Sequence, residues 1–453
     1  MQLKPSNYNY IVKDDNGDYL VCNLIKGYQS LRRISSSDTD FVSLLSSADS
    51  LQCDYSDNII QLFVDAGFLI DENENELFKI KVLYENKVYN NYLNLIIMTT
   101  GQCNFRCKYC YEDFKQGRMS EDTQKKVIKF IQKQLYYYPR ISIEWFGGEP
   151  LVEKSVIDYV MPQVKTMCSK RKSVFRAGIT TNGYLLTPTV FDQLYHMNVF
   201  QYQITLDGSK NDHNNQRVLA DGSGTFDVIM DNLLFIKNNQ QYSKASIILR
   251  INLTKPIVEN LQDFLELYKQ NFGNDKRFSL AFKAAGNLGT KDISAFEDNL
   301  LTNQQGGTHD ILKQLGLLNS TDYNLNTALD VLTPMSSLCY ASMRNSYVIG
   351  PDGAVYKCTV HFNEKINQIG YIDDNGNMVL NNYLHSRWYS KEFSPSPQCI
   401  ECKFLPVCYG GGCTYYANFK PTTGCYSSDL KRHIEDYMKY ISRFMNVKEI
   451  KGL

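Results

Sequence analysis

From about residue 92 onward, the sequence alternates between apolar runs typical of strands and longer runs typical of helices. The strand-like runs are "YLNLIIMTT", "RISIEWFGG", "FRAGITTNG", "FQYQITLDG", "ASIILRINL" and "FSLAFKAAG". The helix-like runs cover residues 120–138, 152–170, 188–198, 226–238 and 258–272. Repeated strand–helix–strand units predict parallel strands joined by crossover helices. Six repeats favour an α/β fold, an open and partial (β/α)6 barrel rather than a closed eight-fold one.

Composition divides the chain into four predicted parts. Residues 1–88 combine a strand pair around the turn "DNGD" with two helix-like runs, which predicts a small winged-helix-like module. Residues 89–286 form the predicted barrel. Residues 287–335 are polar and rich in Asn, Thr and Gly, which predicts a bridging linker with one or two helices. Residues 336–453 are rich in Cys and Gly, and their core looks too small to be stable without a staple such as metal clusters.

The charge balance argues against partners held by a net electrostatic field. The 453 residues include 48 Lys plus Arg and 48 Asp plus Glu, so there is no bulk basic charge for a nucleic acid or an anionic membrane. The start "MQLKPSNYNYIVKDD" shows no basic segment followed by an apolar one, and no apolar run approaches the roughly 18 residues of a membrane span. These features predict a cytoplasmic protein with neither nucleic-acid nor membrane partners.

Ten of the 13 cysteines fall into two groups, which favours metal ligands or catalytic groups over disulfides in a reducing compartment. The first group, Cys103, Cys107 and Cys110, has the spacing C-x3-C-x2-C and follows the first predicted barrel strand. Ligands gather at the carboxyl edge of parallel sheets. A 4Fe–4S cluster takes one thiolate per iron, so three cysteines leave one iron open to a small molecule. A partial zinc site is the alternative.

This triplet, with the aromatic Tyr109 before its third cysteine, resembles the signature of the radical S-adenosyl-L-methionine (SAM) enzymes. The resemblance implies that the three cysteines are catalytic and hold a 4Fe–4S cluster whose open iron binds SAM. It also implies that an electron, from a donor such as flavodoxin or ferredoxin, splits SAM into methionine and a 5′-deoxyadenosyl radical. That radical then abstracts a hydrogen atom from the substrate.

Three later turns match the same family pattern in order. "GGEP" follows the second predicted strand, and its Glu149 is a candidate acceptor for the SAM ammonium. "TTNG" follows the third strand, and Arg217 lies where relatives place an arginine on the SAM carboxylate. A surface salt bridge is the alternative for Arg217, and Asp207 in "LDG" is interpreted as structural. The predicted SAM contacts are Tyr109, Gly147, Gly148, Glu149, Pro150, Thr181, Asn182 and Arg217.

The second cysteine group resembles the SPASM domain, an extension that holds auxiliary 4Fe–4S clusters in peptide-modifying radical SAM enzymes. The resemblance implies three clusters in total, and two structural zinc sites are the alternative. The run after Cys408 has four residues before the next cysteine, where the family usually has three. The first auxiliary cluster finds only three cysteines, so its fourth iron is either open or held by another ligand. The predicted ligands are Cys339, Cys358 and Cys413 for the first cluster, and Cys399, Cys402, Cys408 and Cys425 for the second.

The predicted activity is maturation of a ribosomally made peptide. The module at residues 1–88 resembles recognition elements that capture a leader peptide as an added strand, although a purely structural cap is an alternative. Thr359 stands where sulfatase-maturing relatives carry an Asp, which speaks against that activity. An intramolecular cross-link is therefore expected, a Cys-to-carbon thioether first and a carbon–carbon or ether link second. Sulfatase-type oxidation comes third, and a non-enzymatic iron–sulfur scaffold that binds peptides is the remaining alternative.

Overall fold

The computed structural model describes residues 2–47, 57–113, 115–286, 292–301, 307–317, 325–390, 396–420, 425 and 427–450. The strands, numbered in chain order, are β1 (Leu3–Pro5), β2 (Asn9–Lys13), β3 (Tyr19–Asn23), β4 (Arg32–Ile34), β5 (Leu69–Asp71), β6 (Tyr92–Met98), β7 (Arg140–Phe146), β8 (Val174–Thr181), β9 (Val199–Thr205), β10 (Ser246–Leu253), β11 (Phe278–Ala284), β12 (Ser346–Ile349), β13 (Ala354–Tyr356), β14 (Gln368–Ile372), β15 (Met378–Leu380) and β16 (Lys448–Ile450).

The helices are α1 (Thr39–Ser46), α2 (Asp57–Asp65), α3 (Glu76–Val88), α4 (Glu121–Gln134), α5 (Lys154–Arg171), α6 (Pro188–His196), α7 (Lys210–Gln216), α8 (Phe226–Asn238), α9 (Lys255–Glu259), α10 (Leu261–Asn271), α11 (Thr308–Gln314), α12 (Leu325–Val331), α13 (Asn382–Tyr389), α14 (Pro397–Ile400), α15 (Leu405–Cys408), α16 (Thr414–Phe419), α17 (Ser428–Arg432) and α18 (Ile434–Phe444). Among the described residues, none of these helices combines the length and apolar character needed to cross a membrane.

The chain divides into two compact units. The terminal unit combines Met1–Tyr89, Leu312–Ser342 and Ser390–Leu453, and the barrel unit combines Asn90–Ile311 and Met343–Tyr389. The first 89 residues and the last 64 therefore belong to one folded body. The four-part division by function remains a prediction from the sequence.

The barrel unit contains the predicted parallel sheet. Strands β6 to β11 lie side by side in chain order and pair in parallel, with helices α4 to α10 in the connections. The strands are apolar because helices cover one face of the sheet, and Trp145 and Tyr202 are fully buried. The predicted α/β partial barrel with six parallel strands is confirmed.

The sheet of the barrel unit continues beyond these six strands. Strand β12 pairs in parallel with β6, and β13, β14 and β15 follow as antiparallel neighbours. Ten strands thus form one sheet within the described residues. Residues 343–389, which the sequence analysis grouped with the cysteine-rich tail, supply these four strands, so the tail extends the barrel sheet on the β6 side.

The terminal unit is built around a second sheet with the strand order β16-β4-β3-β2. Its core contains Val21 and Ile34 from the sheet and Phe41 and Phe63 from α1 and α2, and Ile450 of β16 packs into the same cluster. Tyr84 of α3 stacks on Tyr409 with ring centroids 3.9 Å apart. The strands and helices predicted for this module are thus present and C-terminal residues complete their core, while its winged-helix-like character stays a prediction.

Candidate active site at the carboxyl edge of the barrel

The loop that follows β6 presents three cysteine thiols at the carboxyl edge of the parallel sheet. Cys103, Cys107 and Cys110 are partly buried and line one cavity. Two backbone hydrogen bonds fix the loop to the end of α7 and the residues that follow it. The N–H of Lys108 donates to the carbonyl of Gln216 (3.0 Å), and the N–H of Arg106 donates to the carbonyl of Val218 (2.8 Å). The cysteine loop is therefore held by pairing with another loop of the same edge.

The electrostatics of these thiols favour a bound cation. Burial raises the pKa of Cys103 to about 12, and the nearby Glu149 and the other two cysteines add to this rise. Three thiolates in one partly buried site repel each other unless positive charge neutralises them. Soft thiolate donors select iron–sulfur clusters, copper(I) or zinc. The donor set thus fits the predicted 4Fe–4S cluster.

The two glycines of "GGEP" let the turn after β7 pack against the cysteine loop. Gly147 has φ +135°, and a Cβ atom on it would lie 2.2 Å from the carbonyl oxygen of Thr100. A Cβ on Gly148 would lie 2.6 Å from the carbonyl oxygens of Gly101 and Gln102. Only glycine tolerates this approach. The glycines therefore set the position of the loop that carries the thiols, in addition to lining the cavity.

Glu149 is fully buried and connects this turn to the end of β8. Its Oε1 atom accepts hydrogen bonds from the Leu151 N–H (3.0 Å) and the Thr181 hydroxyl (2.7 Å). Its Oε2 atom accepts one from the N–H of Asn182 (2.7 Å). Burial raises the pKa of Glu149 although these donors favour the carboxylate. Glu149 therefore positions Thr181 and Asn182, and its predicted contact with the SAM ammonium stays a prediction.

Tyr109 is the centre of a buried hydrogen-bond network. Its hydroxyl donates to Oδ2 of Asp207 and accepts from Nη1 of Arg217 (2.6 Å) and from Nδ2 of Asn252 (3.0 Å). Burial, followed by the charge of Asp207, outweighs Arg217 and raises the pKa of Tyr109 well above its usual value, so the hydroxyl keeps its proton. The aromatic residue of the cysteine signature thus joins the cysteine loop to the ends of β9 and β10.

Arg217 lies between this network and the thiols. Its guanidinium lies 5.6 Å from the ring centroid of Phe105 and 4.0 Å from Oδ2 of Asp207. Its Nε atom is buried and has no hydrogen-bond partner among the described residues. Burial opposes the charge, but Cys107, Tyr109 and Asp207 together raise the pKa of Arg217 above its usual value. This buried cation, with one donor still unused, has the properties expected of a carboxylate ligand.

The structure brings most of the predicted site residues to one cavity. Glu149 and Pro150 do not line it: Glu149 supports its wall, and the carbonyl of Pro150 accepts a hydrogen bond from the hydroxyl of Thr99 (3.0 Å). The predicted residues that line the cavity are Cys103, Cys107, Tyr109, Cys110, Gly147, Gly148, Thr181, Asn182 and Arg217.

Several polar residues in or beside the cavity were not identified from the sequence. Asp207, interpreted there as structural, is fully buried and bonded to the Tyr109 hydroxyl. Arg250 and Asn252 alternate along β10 and also line the cavity. Glu144 of β7 does not line the cavity, but it accepts a hydrogen bond from Thr180, which does (2.9 Å), and burial raises the pKa of Glu144 to about 7. The available signal was a charged residue inside an otherwise apolar strand, as in "ISIEWF" and "IILRINL".

Glu112 also lines the cavity, two residues after the third cysteine. Burial, and then the neighbouring Asp113, raise the pKa of Glu112 to about 7. Its Oε1 atom is buried and has no hydrogen-bond partner within the described part of the chain. This carboxyl group therefore changes its charge near neutral pH at the edge of the thiol site.

The family profile of the Radical SAM superfamily matches residues 97–270, from the end of β6 to α10. This range contains the three thiols, the "GGEP" turn and Arg217. This part of the chain is a radical SAM domain. The radical SAM prediction is confirmed for these residues, and a domain of this kind implies SAM and one 4Fe–4S cluster. The two auxiliary clusters remain predictions.

Two curated proteins are similar to most of the chain. The radical SAM cyclopropyl synthase TigE of Paramaledivibacter caminithermalis is 24% identical over 87% of this chain and 82% of its own length. The cysteine-type anaerobic sulfatase-maturating enzyme of Clostridium novyi is 25% identical over 70% of this chain and 86% of its own length. Native anSMEcpe with bound AdoMet and the Cp18Cys peptide superposes with a TM-score of 0.60 at 19% identity, covering 79% of this chain and 98% of that one. This last likeness shows the fold.

The predicted auxiliary ligands lie in both units. Within the terminal unit, Cys408 lies near Cys402 and Cys425: burial, followed by these two neighbours, raises the pKa of Cys408 to about 11. Cys339 lies near Cys413, which adds to the rise that burial causes in the pKa of Cys339.

Cys399 begins the C-x2-C turn of the terminal unit and accepts a hydrogen bond at Sγ from the Ser396 hydroxyl (3.3 Å). Cys358 belongs to the barrel unit, where its N–H donates to Oδ1 of Asn367 (2.8 Å) and its carbonyl accepts from Nδ2 of the same residue (2.8 Å). The ligand sets of the two auxiliary clusters stay predictions.

Proposed function

We propose that this chain is a radical SAM maturase that installs an intramolecular cross-link in a ribosomally made precursor peptide. A thioether from a Cys sulfur to a carbon atom is the first choice. The observation that carries the proposal is the convergence of three thiols and the Tyr109–Arg217–Asp207 network on one cavity at the carboxyl edge of a parallel sheet.

In this proposal, Cys103, Cys107 and Cys110 hold the 4Fe–4S cluster, and the neighbouring residues hold SAM. Arg217 binds the SAM carboxylate through the donor that the protein leaves unpaired. Thr181 and Asn182, fixed by Glu149, line the same cavity. When bound, the cluster and SAM supply a 5′-deoxyadenosyl radical for hydrogen abstraction. The protein's contribution is to orient both groups and to exclude water.

A peptide substrate is supported by the proteins that this chain resembles. One curated relative is a sulfatase-maturating enzyme, and anSMEcpe has been solved with a bound peptide. The winged-helix-like part of the terminal unit is the proposed site for the leader segment, which would add as a strand to a sheet edge. The seven C-terminal cysteines are the proposed ligands of two auxiliary clusters in a SPASM domain, and a flavodoxin or ferredoxin is the proposed electron donor.

Carbon–carbon cross-linking is the second candidate, because one relative that covers most of the chain is a cyclopropyl synthase. The two reactions are distinguished by the state of the substrate thiol. The reduced, cluster-loaded enzyme is incubated with SAM and the short Cys-containing peptide encoded beside its gene, and the product is analysed by mass spectrometry after alkylation.

A loss of two hydrogens with a thiol that no longer reacts supports the thioether. The same loss with a reactive thiol supports the carbon–carbon link. A peptide that keeps its mass while SAM is cleaved contradicts both.

A further inference from the structure

Arg250 is a charged residue in the interior of a barrel strand. It lies in β10, where its backbone pairs in register with Thr205 of β9 and Ala281 of β11. Its side chain is half-buried and lines the cavity that contains the three thiols. Moving a guanidinium from water into such a site is unfavourable unless hydrogen bonds or an opposite charge compensate it. The groups that compensate Arg250 therefore decide which of its donors remain available to a ligand in the cavity.

Within the described residues, the protein supplies one hydrogen-bond acceptor, on Asn252, and one nearby opposite charge, that of Asp207. Nε of Arg250 donates to Oδ1 of Asn252 over 3.0 Å. Asn252 is itself held in place, because its N–H donates to Oδ1 of Asp207 over 2.7 Å. Within the described residues, the two Nη atoms of Arg250 form no hydrogen bond and no ion pair. The guanidinium is thus anchored at one edge, while its other donors remain available to a ligand.

The carboxylates in and beside the cavity form no ion pair with Arg250 in the described part of the chain. Asp207 already accepts from Tyr109 and from Asn252. Glu144 accepts from the hydroxyl of Thr180. Glu112 lines the same cavity, but it forms no ion pair with Arg250 in the described structure.

The remaining neighbours offer no negative charge either. The cavity wall formed by β9, β11 and the residues after β11 includes Gln203, Thr205, Ala284, Ala285 and Gly286. These side chains are uncharged, so this wall supplies no ion-pair partner, and the Nη donors of Arg250 are open to an anion from a ligand.

The two arginines of the cavity differ in their surroundings. Arg217 is bonded to the Tyr109 hydroxyl and lies close enough to Cys107 to feel its charge. It belongs to the thiol side of the cavity, where SAM is proposed to bind. Arg250 has neither of these contacts. The position of Arg250 therefore fits a second anionic group, separate from the SAM carboxylate.

We propose that Arg250 is a specificity-determining residue that binds a carboxylate of the peptide substrate, the side chain of an Asp or Glu near the residue that is modified. The inference rests on the proposed function and adds a substrate class to it. The planar guanidinium presents parallel N–H donors that match the two oxygens of a carboxylate. A charge-assisted pair of this kind changes affinity by about 10- to 100-fold.

The test is a double-mutant cycle between enzyme and substrate. The probe is the short Cys-containing peptide encoded beside the gene, with each Asp or Glu replaced singly by Asn or Gln. With the cluster-loaded wild-type enzyme, one of these replacements near the modified residue is expected to raise KM about 10-fold or more. With the Arg250→Gln enzyme, the unaltered peptide is expected to show the raised KM. Replacing the acidic residue of the peptide as well is expected to raise the KM of this variant no further. Arg140→Gln, an exposed arginine at the start of β7, is the matched control and keeps the wild-type pattern.

Three results would overturn the inference. One is that no acidic position of the peptide affects KM in the wild-type enzyme. Another is that the effects of the two substitutions add instead of coinciding. The third is that, in the absence of peptide, Arg250→Gln weakens SAM binding by the same factor by which it raises KM. The carboxylate that Arg250 binds would then be that of SAM.

Two further observations keep the cycle informative. If Arg250→Gln does not retain its clusters, Arg250→Lys is used, which keeps the charge and loses the planar fork, and the same pattern is expected with a smaller factor. A wild-type enzyme that cleaves SAM but leaves the unaltered peptide unmodified contradicts the proposed function itself, and this result is distinct from the three above.

Discussion

The Arg217 guanidinium donates from Nη1 to the Tyr109 hydroxyl oxygen over 2.6 Å, in a part of the barrel unit where Arg217 is buried and Tyr109 is half-buried. Because Tyr109 stands directly before Cys110, this bond fixes the end of the cysteine loop relative to α7. The same hydroxyl donates to Asp207 at the end of β9. One side chain thus links the cysteine loop to the end of α7 and to the end of β9.

Replacing Tyr109 by Phe is expected to damage the site well beyond the loss of one oxygen atom. Arg217, Asp207 and Asn252 would each lose a buried partner, and an unsatisfied buried polar group costs about 1–3 kcal/mol, more when it is charged. We expect a destabilisation of at least about 3 kcal/mol and a decrease in 5′-deoxyadenosine formation of more than 10-fold. Tyr137→Phe, at an exposed position, is the control. Equal activity of the two variants would show that the network does not position the site.

Gly148→Ala is expected to displace the cysteine loop, since its Cβ atom would lie 2.6 Å from two carbonyl oxygens of that loop. Three 4Fe–4S clusters correspond to about 12 iron atoms per chain, and losing the cluster of the loop leaves about 8. Gly117→Ala, in the same loop region but with no atom within 4 Å of the added Cβ, is the matched control and keeps the full iron content. Iron content that is unchanged in Gly148→Ala would contradict the packing argument.

The raised pKa of Glu144 predicts that the stability of the folded protein depends on pH. Burial raises its pKa from 4.5 to about 7 in the folded state, although Thr180 donates to the carboxylate. Between pH 4.5 and about 7, Glu144 therefore keeps its proton in the folded protein and releases it in the unfolded chain. The free energy of unfolding thus falls as the pH rises through this range. Glu144→Gln removes this loss and should be more stable than wild type by up to about 3 kcal/mol at pH 8, with a much smaller difference at pH 4.5.

The measurement for Glu144 is the midpoint of chemical unfolding at several pH values, compared with Glu266→Gln. Glu266 is exposed on α10, so its replacement removes the same charge without the burial. A Glu144→Gln advantage that is independent of pH would mean that the carboxyl group is ionised in the folded state throughout.

The parallel sheet and the thiol site were predictable because their signals are local. Alternating apolar strands and amphipathic helices specify crossover connections, and each functional turn follows the strand that positions it. Spacing and family pattern were therefore enough to predict that Cys103, Gly147 and Thr181 meet at one cavity, while their roles stay predictions. For Asn252 and Arg250 this was not possible: the charge inside "IILRINL" marks β10 as unusual, but nothing in the sequence shows that its polar face lines the same cavity as the cysteine loop after β6.

The sequence also did not show which segments of the chain form each of the two units. Residues 1–88 look like an independent module, yet Ile450 completes their core and Tyr84 stacks on Tyr409. Pairing between segments more than 300 residues apart leaves no periodic trace in either segment. Deleting residues 1–88 would expose Ile450 and Tyr409, so a leader-binding test has to use point substitutions in the full chain.

The most direct test of the account is SAM cleavage by the anaerobically reconstituted, reduced protein. Wild type is expected to bind about 12 iron atoms per chain and to release 5′-deoxyadenosine from SAM. Cys107→Ala should abolish this release and lose only the iron of one cluster, whereas Cys168→Ala, at a buried cysteine of α5, should behave as wild type. Full activity of Cys107→Ala, or a wild-type protein with bound zinc and almost no iron, would contradict the assignment of the three thiols.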